Sequence, residues 1–218
     1  MTALTSVALA LFAAGPAAAA VVYNVTVDTS SVSGQTGYLD FQFNPGNVTT
    51  QPATAQILNF SGGTIGPPPS TNGNVTGNLP STVTIVNSTA LNEVFQGFTY
   101  GSTFSFTLVL SGPAIDSPNG TANAGSTFGL GLYDAGQIPI LTNQGALSGF
   151  AGTVDINLNG TTTATAFPRS PAGGPSVVTL VQAPASIPTL NGSGLVALAL
   201  LLLAAAGLVL RRGRREGR

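Results

Sequence analysis

Alternation with a period of two runs through the body of this chain. In Thr103–Leu110 (TFSFTLVL), Phe104, Phe106, Leu108 and Leu110 fall on one side while Thr103, Ser105 and Thr107 fall on the other. On a helix, which turns about 100° per residue, those four apolar groups would scatter; in an extended chain they make one dry face and one wet face. The same spacing sets Tyr23, Val25 and Val27 against Asn24, Thr26 and Asp28, and Leu39, Phe41 and Phe43 against Asp40 and Gln42. It also sets Val154, Ile156 and Leu158 against Asp155 and Asn157. Phe128, Leu130 and Leu132 alternate with Gly129 and Gly131, where a missing side chain leaves room for a neighbouring backbone. Weaker strands are expected at 53–60, 82–87, 91–99, 162–167 and 177–182. Some ten short strands punctuated by Gly, Pro and Asn, with no amphipathic helix, predict an all-β antiparallel β-sandwich, jelly-roll-like, over residues 21–167.

Composition then narrows the chemistry. The 218 residues include no Cys, His, Trp or Lys, and only 6% are charged. That removes the usual zinc, haem and iron–sulfur ligands, any disulfide, a thiol nucleophile and the commonest general base. The expectation is a protein without catalytic residues, cofactor or metal. Five of the six Arg crowd into the last eight residues, whereas 21–190 carries six acids against Arg169 alone, a net of −5. An acidic body without clustered cations is a poor match for nucleic acid.

The two ends read as addresses. Residues 3–14 (ALTSVALALFAA), then Gly15-Pro16 and a small-residue stretch closing on Ala18 and Ala20, have the form of a signal peptide over 1–20 with its cleavage site before Val21. Gly194–Leu210 is seventeen residues without a polar side chain, about 25 Å as a helix, and is expected to cross the membrane within a 191–210 segment. Arg211, Arg212, Arg214 and Arg215 in the tail 211–218 follow at once, a stop-transfer cluster that stays cytoplasmic and leaves the body outside. A Pro-spaced linker, 168–190, joins body and helix and carries at most one strand, at Val177–Val181.

Just before the helix stands Ile187-Pro188-Thr189-Leu190, followed by Asn191-Gly192-Ser193-Gly194. Signal peptide, low-charge body, short Pro motif, apolar helix and Arg cluster in that order resemble the bacterial PEP-CTERM proteins sorted by exosortases, in their IPTL-CTERM variant. The body is also similar to ectodomains of that group at Val25–Ser30 (VTVDTS), Leu39–Gly46 (LDFQFNPG), Leu91-Asn92-Glu93 and Gln96-Gly97-Phe98. The resemblance implies an inner-membrane-anchored intermediate, recognition of Ile187–Leu190 by an exosortase-like sorting protease, and release to the cell surface or extracellular matrix. It brings no catalytic residues with it.

Three readings of the body remain open: a non-enzymatic structural or interaction protein, a surface-tethered carbohydrate-binding module, and a two-carboxylate glycoside hydrolase. Sugar rings stack on aromatic faces, which makes Tyr38, Tyr100 and Tyr133 the candidate glycan contacts and exopolysaccharide the candidate partner. Hydrolysis needs only two carboxylates about 5–10 Å apart, for which Asp40, Glu93, Asp116 and Asp134 are available. Solvated strand positions for Asp40 and Asp155, and turn capping for Asp116 and Asp134, are the plainer expectation. Asp155–Gly160 (DINLNG) opens like a calcium loop, but position twelve is Ala166 where a bidentate Glu belongs, so a hairpin turning at Asn159-Gly160 is expected instead.

Overall fold

The computed structural model describes residues 20–184 apart from 122, 123, 146 and 170–173, and Leu200. Thirteen strands form among the described residues, and all their pairings are antiparallel. One sheet (sheet A) is ordered β13 (Val178–Gln182), β1 (Ala20–Asp28), β9 (Thr103–Ser111), β3 (Thr54–Ser61), β7 (Val83–Val86), β6 (Asn74–Gly77). The other (sheet B) is ordered β12 (Thr162–Ala166), β11 (Phe150–Ile156), β10 (Ser126–Asp134), β2 (Thr36–Pro45), β8 (Glu93–Thr99), β4 (Thr64–Ile65), with β5 (Ser70–Asn72) also on β8. The helical content of this region is one turn at Ser30–Val32 and one at Pro113–Asp116.

The dry faces meet in a single core, as the alternation predicts. Phe104, Phe106, Leu108 and Leu110 of β9 are all buried, and Phe106 meets Phe41 of β2 edge-on at 5.4 Å across the two sheets. Contact of this kind between inward faces makes the architecture an all-β sandwich.

Three details differ from expectation. The strand expected at 177–182 forms as β13, but within the stretch read as linker it pairs with β1 from Tyr23↔Gln182 to Val27↔Val178 and closes that edge of sheet A. Strand β11 ends at Ile156; Leu158 is 40% exposed in the turn. That turn has three residues rather than two: Asn157 N–H donates to Thr161 O, and Gly160 takes a φ of +80°, the left-handed position that ends a three-residue hairpin loop. The Asn-x-Thr triplets at Asn47, Asn119 and Asn159 are turn chemistry as well, each Asn Oδ1 accepting the N–H two residues on at 2.9–3.1 Å.

Both ends of the sandwich's chain leave from one pole, since Ala20 pairs with Ser111 and Ala183 N–H donates to Val22 O. Strands β2, β8 and β10 place Thr36, Thr99 and Asp134 at the opposite pole. The chain divides into two units after Ala185. Among the described residues no helix is long and apolar enough to cross a membrane; the expected span at 191–210 lies outside them except for Leu200.

Candidate functional site

The outward face of sheet B carries an aromatic and acidic cluster that grows directly from strand register. Three cross-strand rows lie on it, running from β10 through β2 to β8: Tyr133–Tyr38–Gly97, Gly131–Asp40–Phe95 and Gly129–Gln42–Glu93. Each row contains one glycine, so large rings have empty surface to fold over. A Cβ on Gly131 would stand 2.7 Å from Tyr133 Cε2, and one on Gly129 would stand 2.6 Å from Phe150 Cε1. These glycines therefore admit aromatic side chains where a neighbouring backbone was expected. Phe150 reaches its place through a bulge: β11 advances two residues, Gly152 to Phe150, while β10 advances one, Leu130 to Gly131.

Tyr38 and Phe95 stack at 4.6 Å with an 18° interplanar angle, and Phe95 meets Tyr133 at 5.6 Å and 66°. Beneath these rings lies Asp40. Expected on the wet side of a strand, it is on that side but only 2% exposed, because rings from the flanking strands close over it. Its Oδ2 accepts from Gln42 Nε2 at 2.8 Å, and the same nitrogen donates to Glu93 Oε1 at 3.2 Å, so the two carboxylate oxygens lie within about 6 Å of each other. Asp40 Oδ1 is buried with no hydrogen-bond partner. Burial pushes the Asp40 carboxyl up to about 7 against the hydrogen bond from Gln42, and the charge of Glu93 pushes the same way as burial. The Tyr133 phenol is also raised, by burial first and then by Asp40 and Glu93.

Glu93 is only half-buried. Its Oε2 accepts from Asn72 Nδ2 of β5 at 2.7 Å, and Asn44 Nδ2 donates to Gln42 Oε1 at 2.9 Å. On the other side of the stacked pair, a groove of about 410 Å³ opens between Tyr38, Phe95, Pro67, Pro68, Thr36 and Gln137. It lies toward the pole away from the chain ends. The stacked pair thus stands between a shallow groove on one side and the Glu93 carboxylate with its amide donors on the other, and such a face can hold a sugar by its apolar side and its hydroxyls.

The sequence-predicted residues divide as follows. Tyr38 and Tyr133 come together on this face. Tyr100 does not: it is 2% exposed, its ring packs edge-on against Phe98, and it offers no surface to a glycan. Its hydroxyl is placed 2.8 Å from Tyr38 O and 3.0 Å from Tyr133 O and accepts from Tyr133 N–H, so it fixes the backbone under the two half-buried tyrosines. Continued parity shows why, since Tyr100 is in phase with buried Val94 and Phe98. Of the four candidate acids, Asp40 and Glu93 are brought together. Asp116 closes the helical turn Pro113–Asp116, and Asp134 caps its own turn, accepting from Gly136 N–H at 2.8 Å and Ile138 N–H at 2.9 Å. Asp155 accepts from Thr127 Oγ1 at 2.6 Å.

The sequence places Gln42 on the wet face but does not single it out, nor Phe95, Phe150 or Asn72, as a site residue, although period-two parity from Glu93 already puts Phe95 outward. Among the described residues no three His, Cys, Asp or Glu side chains gather as metal ligands. Ala20 is the first residue of β1; Ala18, Ile187–Leu190, Arg211, Arg212, Arg214 and Arg215 lie outside the described residues. Comparison with family models, with curated proteins and with solved structures finds no match.

Proposed function

We propose that this chain is an exported, non-enzymatic β-sandwich protein that binds carbohydrate through the outward face of sheet B. The observation that carries this reading is the joining of Tyr38, Phe95 and Tyr133 to Glu93, Gln42 and Asn72 on one wet sheet face, beside a groove. Aromatic surface would otherwise be buried in a core, and here it is retained at a half-buried position outside one. Against turnover stands the burial of Asp40. A general acid or base must reach the reacting atoms, and this carboxyl is roofed by Phe95 and Tyr133.

Export follows from the two ends. The signal peptide sends the body out, the apolar helix and Arg tail hold it at the inner membrane, and Ile187–Leu190 presents it to an exosortase-like protease for release to the surface or matrix. The pole from which both chain ends of the sandwich leave lies away from the groove, which suits a tethered binder. A glycan array tests the binding role: the full chain should show saturable binding that Tyr38→Ala and Phe95→Ala reduce at least about tenfold. An array without signal overturns it. Mass spectrometry of the native protein should find a C-terminus near residue 190; recovery of peptides spanning Ser193–Arg211 from most surface material would leave an ordinary single-span anchor.

A further inference from the structure

The cluster on sheet B holds negative charge without an answering cation. Glu93 receives its hydrogen bonds from two neutral amides, Gln42 and Asn72. Asp40 is within about 6 Å of it, is 2% exposed and has one oxygen unpartnered. Arg169 is the single basic residue between 21 and 190, and its charge bears on Asp28 of sheet A and is not among the causes acting on Asp40. Two close carboxyl groups resist joint ionisation unless a positive charge arrives between or beside them. The rings of Phe95 and Tyr133 lie next to them, and an aromatic ring attracts such a charge through its π system.

We propose that the glycan bound here is an amine-bearing one, a polymer containing free hexosamine, with an ammonium beside Glu93 and its sugar ring against Phe95 and Tyr38. The proposal rests on the carbohydrate reading of this face and adds the ligand's charge. Glu93 and Phe95 are two residues apart on the same side of β8, roughly 7 Å, which is the scale of one pyranose unit with its substituent. An acidic polysaccharide would meet like charge with no arginine or lysine to receive it. A fully acetylated hexosamine would stack on the rings and leave the carboxyl pair as it is.

The test is calorimetry of the full chain with three probes in mildly acidic solution: a glucosamine hexamer, an N-acetylglucosamine hexamer and oligogalacturonate. The expected result is at least about tenfold tighter binding of the free amine than of the acetylated hexamer, and no binding of the acid. Glu93→Gln should bring the two hexamers to similar affinities. Equal binding of the two hexamers by the wild-type chain, or a preference for oligogalacturonate, overturns the amine assignment while leaving a carbohydrate site in place. Silence from all three probes together with a silent array overturns the carbohydrate reading and this one with it.

Discussion

On its outward face sheet A offers Asn24 and Thr26 from β1, Ser105 and Thr107 from β9, Gln56 from β3 and Thr84 from β7. Every aromatic side chain of that sheet's strands, Tyr23, Phe60, Phe104 and Phe106, is buried. Sheet B obeys the same alternation but turns Tyr38, Phe95, Tyr133 and Phe150 outward, and four of its acids, Asp40, Glu93, Asp134 and Asp155, lie in its strands. The first face is mainly a hydroxyl and amide surface, interrupted by the aliphatic Val22, Val109, Leu58 and Val181 and without a ring. The second has glycines in its rows, so rings can lie down on the sheet and bury a carboxyl between them. The contrast teaches that on a wet β face the sign of a site is the combination of removed side chains with oversized ones, since polar residues alone make a hydrated surface.

The largest effect should come from the core that both faces share. Phe106 is 3% exposed and touches Phe41 of the opposite sheet, so Phe106→Ala should cost about 3–5 kcal/mol. Denaturant unfolding of residues 21–186 would measure it, and that segment should fold alone with an all-β circular dichroism spectrum. If the two faces belong to one cooperative unit, tyrosine fluorescence read in a Tyr23→Phe background, which removes the one tyrosine of sheet A, and the backbone signal will be lost together. Separate transitions would show that the sheets are not one domain.

Asp40 should make the second difference, and its sign is set by linkage. Its folded pKa is raised from 3.8 to about 7, so the folded state binds a proton that the unfolded state has already released. The resulting penalty is absent below about pH 4, grows through the interval up to about pH 7, and is constant above it. A rise of that size corresponds to about 4 kcal/mol at most. Asp40→Asn keeps the acceptor for Gln42 and removes the charge. It should therefore be more stable than the wild type by about 2–4 kcal/mol near pH 8 and match it near pH 4. A gap that does not change with pH would mean the carboxyl is not sealed under its rings. No group on the outward face of sheet A should behave this way.

How far the sequence reveals these two faces depends on how local each feature is. Alternation alone assigns Phe104–Leu110, Leu39–Phe43 and Phe128–Leu132 to the core, because burial on one side of a strand follows from its own residues. It also places Tyr38 outward. The burial of Asp40 requires Phe95 from one neighbour, Tyr133 from the other and the empty space at Gly131, and none of those adjacencies is encoded within β2 itself. The strand at β13 is legible, since one is expected at 177–182, but its place in the sandwich is not: its partner is β1, at the far end of the chain, and five residues after a Pro-rich stretch carry too little pattern to announce a pairing. The junction of Asp40 with Glu93 is of the same non-local kind, since 53 positions in sequence separate side chains that share one amide.

A smaller effect should separate the faces again. Gly131→Ala inserts a Cβ 2.7 Å from Tyr133 Cε2, so the ring must swing away and uncover Asp40. Because the atom it meets is the far end of a side chain, stability should change by about 1 kcal/mol or less, while glycan affinity falls roughly three- to tenfold. Thr107→Ala, on the other face, should leave affinity as it is. Equal loss from both substitutions, measured by the same calorimetry, would place the ligand elsewhere.

Most direct is a map of amide chemical shifts during titration of isotope-labelled residues 21–186 with the tightest ligand of the array. Saturable shifts confined to Tyr38, Asn72, Glu93, Phe95 and Tyr133, with Asn24, Thr26 and Thr107 silent, are the predicted result. Shifts centred on the outward residues of sheet A, or scattered over both sheets without saturation, would contradict the assignment of carbohydrate binding to sheet B.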